Sequence, residues 1–317
     1  MYNYSRRFVM KKNVFSVASS FDGLNLNVVY FVPDGEIRGI IQFAHGMAEH
    51  KERYFDFMEF LTSNGFVTAI YDHRGHGESV KSSADLGFFY DETGSAVVED
   101  AYDVTLFLKK TFPDHPFILF GHSMGSLVVR CYAKKHDEEL DALVVCGSPS
   151  ENPLTSIAIT LTKTIKKFKG ERHISPLLVS LSVGAYDKAF KKEGKRNAWL
   201  SVNTENVDAY NEDKLCGFPF TANGFLNLFS LLANTYEKSG WALKNPALPI
   251  LFIAGSADPV ILNEKAWLSS VSFMQRLGYS HVQKRLFAGL RHEILLENER
   301  NQVYNYVLGY LNASLMK

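Results

Sequence analysis

Pro116-Phe117-Ile118-Leu119-Phe120-Gly121-His122-Ser123-Met124-Gly125-Ser126 is the stretch that decides how the rest of the chain is read. An apolar run ends in glycine, and a helical pattern follows through Val128, Val129, Cys131 and Tyr132. The turn reads G-x-S-x-G, where Gly121 and Gly125 lack the Cβ atoms that would clash as the chain reverses from strand to helix. Ser123 is then lifted clear of the sheet, with the N–H groups and positive end of a helix behind it. A five-residue pattern with three fixed positions recurs by chance, so the strand before it and the helix after it carry the reading.

On either side the chain alternates strand with helix. Val14–Ser19 and Leu24–Val32 read as a hairpin, and Arg38–Ala44, Phe66–Tyr71, Ala142–Cys146, Leu248–Ala254 and His281–Ala288 as further strands. Helical patterns fall at Tyr54–Leu61, Ser95–Lys110, Asn263–Leu277 and Arg300–Leu311. This rhythm implies a mostly parallel sheet with helices on both faces, whose ligands gather at the carboxyl ends of the strands. The loops after Ala44, Tyr71, Phe120 and Cys146 therefore share one edge.

From about Ser150 to Asn245 no buried strand appears, while Pro153–Lys169, Ile174–Leu181 and Asn223–Ala233 are helical. The expected organisation is a core at 1–149 and 247–317 interrupted by a helical cap at 150–246. Ile157, Leu161, Ile165 and Phe168 fall on one stripe of the first cap helix, with Lys163, Lys166 and Lys167 opposite. Together with Leu177, Leu178, Leu181, Phe218, Phe220, Phe225, Leu226 and Phe229, that stripe is expected to wall an apolar tunnel above Ser123. A solvated exterior is the plainer reading of the lysine face; transient contact with a membrane surface is the sharper one.

The chain of 317 residues is 46% hydrophobic, enough for one large domain, and its 34 basic residues balance 34 acidic ones. No global field attracts nucleic acid. Cys131, Cys146 and Cys216 are odd in number and far apart, which offers no disulfide framework and suits a reducing cytoplasm. Met1–Lys12 is basic without the apolar core of a signal peptide, and no apolar run is long enough to span a membrane.

A serine hydroxyl needs a neighbouring base, and that base needs a group to orient it. Among ten histidines, His292 follows the last strand and precedes the last helix, late enough for the chain order serine, acid, histidine. His281 begins its strand and belongs at the far edge. Asp258 lies after the strand next upstream, before Pro259, while Glu293 adjoins His292 and would point away. Ser123, Asp258 and His292 are the expected catalytic residues. The residue after the nucleophile, Met124, and one on an early strand-end loop, Met47, are the expected oxyanion N–H donors. His45, His50, His73 and His76 crowd the same edge, but H-E-x-x-H is absent, so they are assigned to loop hydrogen bonding, with no metal and no cofactor. Arg74 is expected to pair with a carboxylate such as Glu49.

With these residues in hand, the chain resembles the monoacylglycerol lipase and lysophospholipase branch of the α/β-hydrolase superfamily, grouped with serine aminopeptidases. The matching motifs are His45-Gly46-Met47-Ala48-Glu49-His50 with Arg53-Tyr54, Asp72-His73-Arg74-Gly75-His76-Gly77-Glu78-Ser79, Gly121 to Gly125, Gly255 to Pro259, and His292 before an acidic residue. The cap stretch from Trp199 to Thr221 is similar to that branch, whereas Glu151–Lys195 carries none of its motifs. The resemblance implies an α/β-hydrolase fold, a monoacyl lipid or simple ester as substrate, and no cofactor. Within enzymes the alternatives are a short-chain carboxylesterase, a thioesterase, a C–C hydrolase or a proline iminopeptidase. Outside them stands a hydrolase-fold ligand receptor.

Overall fold

In the computed structural model, which describes residues 11–316, the hairpin strands β1 (Lys11–Ala18) and β2 (Asn25–Val32) form one edge of an eight-stranded sheet. The expectation about a signal peptide falls mainly on residues 1–10, outside the described residues. The other strands are β3 (Gly39–Ala44), β4 (Phe66–Tyr71), β5 (Phe117–His122), β6 (Ala142–Cys146), β7 (Ile250–Gly255) and β8 (Val282–Phe287). Their order is β1-β2-β4-β3-β5-β6-β7-β8; β2 is antiparallel to β1 and to β4, and every other pairing is parallel. This is the mostly parallel sheet that the strand and helix rhythm implied, in the α/β-hydrolase arrangement that the resemblance implied. Strands β3 to β7 are buried along their whole length, which is why they read as continuous apolar runs. At the far edge β8 places Gln283, Lys284 and Arg285 in solvent, and the two charges discourage further strand pairing.

Helices α1 (Phe55–Thr62), α2 (Ala96–Thr111) and α3 (Met124–His136) follow β3, β4 and β5. Between β6 and β7 come α4 (Thr155–Lys169), α5 (Pro176–Leu181), α6 (Val183–Ala189), α7 (Thr204–Glu212) and α8 (Ala222–Tyr236); α9 (Glu264–Leu277) and α10 (Arg300–Leu315) complete the fold. One face of the sheet packs on α1 and α10 through Phe57, Met58, Leu61, Val303 and Val307. The other packs on α2, α3 and α9, among them Val104, Leu127, Val128 and Trp267. Neither α6 nor α7 was expected. Among the residues of α6 none is buried, and α7 buries only Val207 and Tyr210, so neither shows an apolar stripe.

All the parallel strands end on the same side, and backbone bonds gather their loops there. Ser123 N–H donates to the carbonyl of Cys146 at 2.9 Å, and Ala257 N–H to that of Leu290 at 2.9 Å. Among the described residues no helix is long and apolar enough to cross a membrane.

Candidate active site

Strand β5 continues two residues beyond its apolar run because Gly121 and His122 still pair, with Ala44 and Cys146. The chain then turns at Ser123, whose φ of 53° and ψ of −119° are a costly conformation for a residue with a side chain. Helix α3 starts at once with Met124. The flanking glycines are required by contact: a Cβ on Gly125 would lie 2.0 Å from the carbonyl oxygen of Ala44, and one on Gly121 would lie 2.3 Å from that of Gly125. Backbone meets backbone here, leaving Ser123 on the wall of a cavity of about 420 Å³ that His292, Met47 and Met124 also line.

His292 and Asp258 are both buried, and Nδ1–H of the imidazole donates to Asp258 Oδ2 at 2.9 Å. The second carboxylate oxygen accepts the N–H of Val260 at 2.8 Å, so the turn at Pro259 sets the direction of the acid. One side of the His292 ring meets Trp199, with centroids 5.3 Å apart, and His122 stands at 4.7 Å. Glu293 turns toward Arg53 Nη2 at 2.8 Å and Asn206 Nδ2 at 2.7 Å. His281 leads into β8, and its carbonyl accepts the N–H of Ile250 at 2.8 Å at the opposite edge of the sheet.

Met47 sits between two amides that are already held: Gly46 N–H donates to Glu49 Oε1, and Ala48 N–H to His76 Nε2 at 3.2 Å. Met124 is the first residue of α3, where an N–H has no acceptor within its own helix.

The crowded histidines divide into two kinds. His45 Nδ1–H donates to the Gly46 carbonyl at 2.8 Å while Nε2 accepts from His73 N–H at 3.0 Å. His73 Nε2–H donates to the His45 carbonyl at 3.1 Å, and His76 Nδ1–H to that of Arg74 at 3.1 Å. Burial, and then the neighbouring imidazoles, push His45 and His76 down to about 3 and His73 well below its usual range, so all three stay neutral and fasten the loops. His50 is different. Burial alone would lower it, but hydrogen bonds to Cys216, Glu52 and Asp213 raise it to about 11.

The partner expected for Arg74 is wrong. Its guanidinium grips Asp100 with Nε at 2.7 Å and Nη2 at 2.9 Å, and reaches Asp22 beyond. Glu49 instead accepts from Tyr54 OH at 2.8 Å and Arg53 Nη1 at 2.8 Å. Tyr54 also meets His122 Nδ1 at 2.9 Å, and His122 Nε2–H donates to the carbonyl of His292 at 3.2 Å. Burial opposes ionisation throughout this group, yet the charges and hydrogen bonds of His122 and Arg53 keep Glu49 ionised, and Glu49 in turn raises His122. Sequence reasoning missed this set. The Glu49-His50 and Arg53-Tyr54 pairs were its only trace.

The expected apolar wall is also partly wrong. Leu181, Phe218, Phe220, Phe225 and Phe229 line the cavity, whereas Leu178 and Leu226 are buried away from it. Leu161 and Ile165 pack onto the core, and Ile157, Phe168 and Leu177 face solvent. On α4 the stripe is split, because its inner edge meets α8 while Ile157 and Phe168 fall on the outer edge.

Residues 35–299 match the family described as Hydrolase_4, serine aminopeptidase S33. The chain belongs to that family. It is therefore a hydrolase, and several relatives match it over most of their length. A monoacylglycerol lipase of Mycolicibacterium smegmatis is 27% identical over 93% of this chain and 97% of its own. The monoglyceride lipase of Homo sapiens is 26% identical, covering 92% and 86%. A thermostable carboxyl esterase from Bacillus coagulans, solved with glycerol, superposes with a TM-score of 0.89 at 26% identity over 97% of this chain and 100% of its own.

Proposed function

We propose that this S33-family hydrolase cleaves the carboxylic ester of a monoacyl lipid, of the monoacylglycerol or lysophospholipid kind, through an acyl-enzyme on Ser123. What supports the reading is one juxtaposition: a serine on a strained turn shares a largely apolar cavity with an imidazole whose Nδ1 lies 2.9 Å from a buried carboxylate. In this mechanism Ser123 Oγ attacks the ester carbonyl and His292 Nε2 takes its proton. Asp258 holds the ring in the correct tautomer and offsets the imidazolium charge. The amides of Met47 and Met124 receive the oxyanion. Collapse of the tetrahedral intermediate expels the alcohol, protonated by His292, and a water activated by the same ring then releases the fatty acid. No metal or cofactor enters these steps.

We assign residues 150–246 as the cap of this site. Leu181, Phe225 and Phe229 offer the acyl chain an apolar wall, and Asp187, Arg196 and Asn197 offer polar groups to the head. Each methylene withdrawn from water is worth about 0.8 kcal/mol, roughly a threefold gain in kcat/KM while the cavity fills. Between positions 154 and 177 Leu154, Ile157, Phe168, Ile174 and Leu177 are exposed, and the same stretch exposes Lys163 and Lys167, a composition suited to brief contact with an anionic membrane surface. The three cysteines stand free and buried, in keeping with a cytoplasmic setting.

The test is hydrolysis of p-nitrophenyl esters of rising chain length beside monoacylglycerol and lysophosphatidylcholine, by the parent and Ser123→Ala. The parent should prefer medium chains, and the variant should lose nearly all turnover while remaining folded. Activity that is highest on acetyl esters and falls with length makes the protein a short-chain carboxylesterase. Retained turnover in Ser123→Ala removes the serine from the mechanism.

A further inference from the structure

His50 ends the loop after β3, and Asp213 and Cys216 lie in the segment that leaves α7. They bring one ring nitrogen, one carboxylate oxygen and one sulfur within 4.8 Å of one another. Nε2 of His50 is 2.8 Å from Asp213 Oδ2, and Cys216 is also within hydrogen-bond reach of the ring. His50 and Cys216 are buried, while Asp213 is partly open to solvent and so provides a path of entry.

We propose that His50, Asp213 and Cys216 form a binding site for a thiophilic divalent cation, zinc above all, which clamps the segment after α7 to the loop carrying Met47. Imidazole, carboxylate and thiolate suit zinc in a tetrahedral set completed by water. The surroundings are those of a supported site. Glu52 Oε2 holds His50 Nδ1 at 2.5 Å, turning Nε2 toward the other two ligands, and Lys51 Nζ meets Glu52 Oε1 at 3.0 Å. Asp213 Oδ1 is occupied by the N–H of Leu215 at 2.8 Å, which leaves Oδ2 for the cation. One thiolate and one carboxylate neutralise the dication. Binding expels the proton on Nε2 and the thiol proton to solvent, so a cation replaces the hydrogen bond that now joins His50 to Asp213.

His45 and His76 cannot serve in the same way, because each spends both ring nitrogens on backbone groups. At the proposed site the two segments already touch: the carbonyl of Ala48 accepts Gly217 N–H at 2.8 Å and Tyr210 OH at 3.0 Å. The hydrogen bond from His50 to Asp213 is the third attachment beside the loop of Met47, and a cation exchanges it for metal bonds that also take in Cys216.

The whole chain, freed of metal by a chelator, is titrated with zinc by calorimetry and with cobalt(II) by absorbance. One zinc per chain, a thiolate-to-cobalt charge-transfer band and a higher thermal midpoint with zinc are expected. Cys216→Ser should abolish the band while Cys131 and Cys146 remain, and Asp213→Asn should weaken zinc at least about 10-fold. Glu52→Gln, which touches no metal, should weaken it about 10- to 100-fold. The parent alone decides against the proposal if it takes up no stoichiometric zinc or gives no thiolate band, however the variants fold. Zinc affinity unchanged in both Cys216→Ser and Asp213→Asn also overturns it.

Discussion

Arg53 Nη2 donates to Glu293 Oε2 at 2.8 Å, tying the residue after His292 to the segment that follows the loop of Met47. The same guanidinium reaches Glu49 through Nη1 at 2.8 Å; both carboxylates are buried and Arg53 is largely so. One cation thus spans two of the loops that form the candidate site.

Arg53→Ala leaves buried Glu293 without its guanidinium and Glu49 with the charge of His122 alone, a loss of about 3–5 kcal/mol. The measurement is urea unfolding together with kcat on one ester. Arg53→Lys restores the charge without the two-pronged geometry and should recover only part of either quantity. An alanine variant as stable and as active as the parent makes this bridge ornamental.

Asp258→Asn should lower kcat by roughly 10⁴-fold, because an amide favours the wrong imidazole tautomer for accepting the Ser123 proton. His281→Ala, at the opposite edge of the sheet, should leave turnover near the parent level. If His281→Ala inactivates the enzyme and His292→Ala does not, His292 is not the base.

His45, His73 and His76 have folded-state pKa values below the unfolded value of about 6.5, so on unfolding below that pH each takes up a proton. Their contribution to stability is present above pH ~6.5 and is lost as pH falls toward the folded values, near 3 for His45 and His76. His50 and His122, shifted the other way, oppose this trend. The useful comparison is therefore between variants: His76→Gln should flatten the slope of unfolding free energy between pH 6 and 4 by up to about 1.4 kcal/mol per pH unit. Parallel slopes for parent and variant would mean that His76 is protonated in the native state.

Two glycines should respond in opposite directions to alanine. In Gly125→Ala the new methyl meets the Ala44 carbonyl oxygen at 2.0 Å, so β3 and α3 must separate, at a cost of several kcal/mol or failure to fold. Gly309, exposed within α10, has nothing within 4 Å of a built Cβ, and Gly309→Ala should stabilise by about 0.5–1 kcal/mol. Thermal unfolding of both variants decides.

Much of this protein follows from the sequence through short-range physics. The buried strands β4 and β6 begin and end where the largely apolar runs Phe66–Tyr71 and Ala142–Cys146 do, since both faces are covered and a polar residue such as Thr68 is accommodated there only with a partner, Thr62. The elbow is legible at Gly121 and Gly125 because no other residue fits. That Ser123, Asp258 and His292 all follow strand ends is likewise a matter of chain order, as parallel strands deliver their loops to one edge.

Tertiary structure decided which group meets which. Arg74 announces that it needs a carboxylate, but Asp100, Asp22 and Glu49 are equivalent to a reader of the chain; only the packing of α2 against the sheet selects Asp100. On α4 the apolar spacing marks a face without saying how wide a strip its neighbour covers, and α8 covers too little to include Ile157 and Phe168. His50 and Asp213, 163 positions apart, meet because the segment after α7 seats on the carbonyl of Ala48. Local periodicity specifies elements and the direction in which loops point; partners distant in sequence are chosen by the way those elements pack.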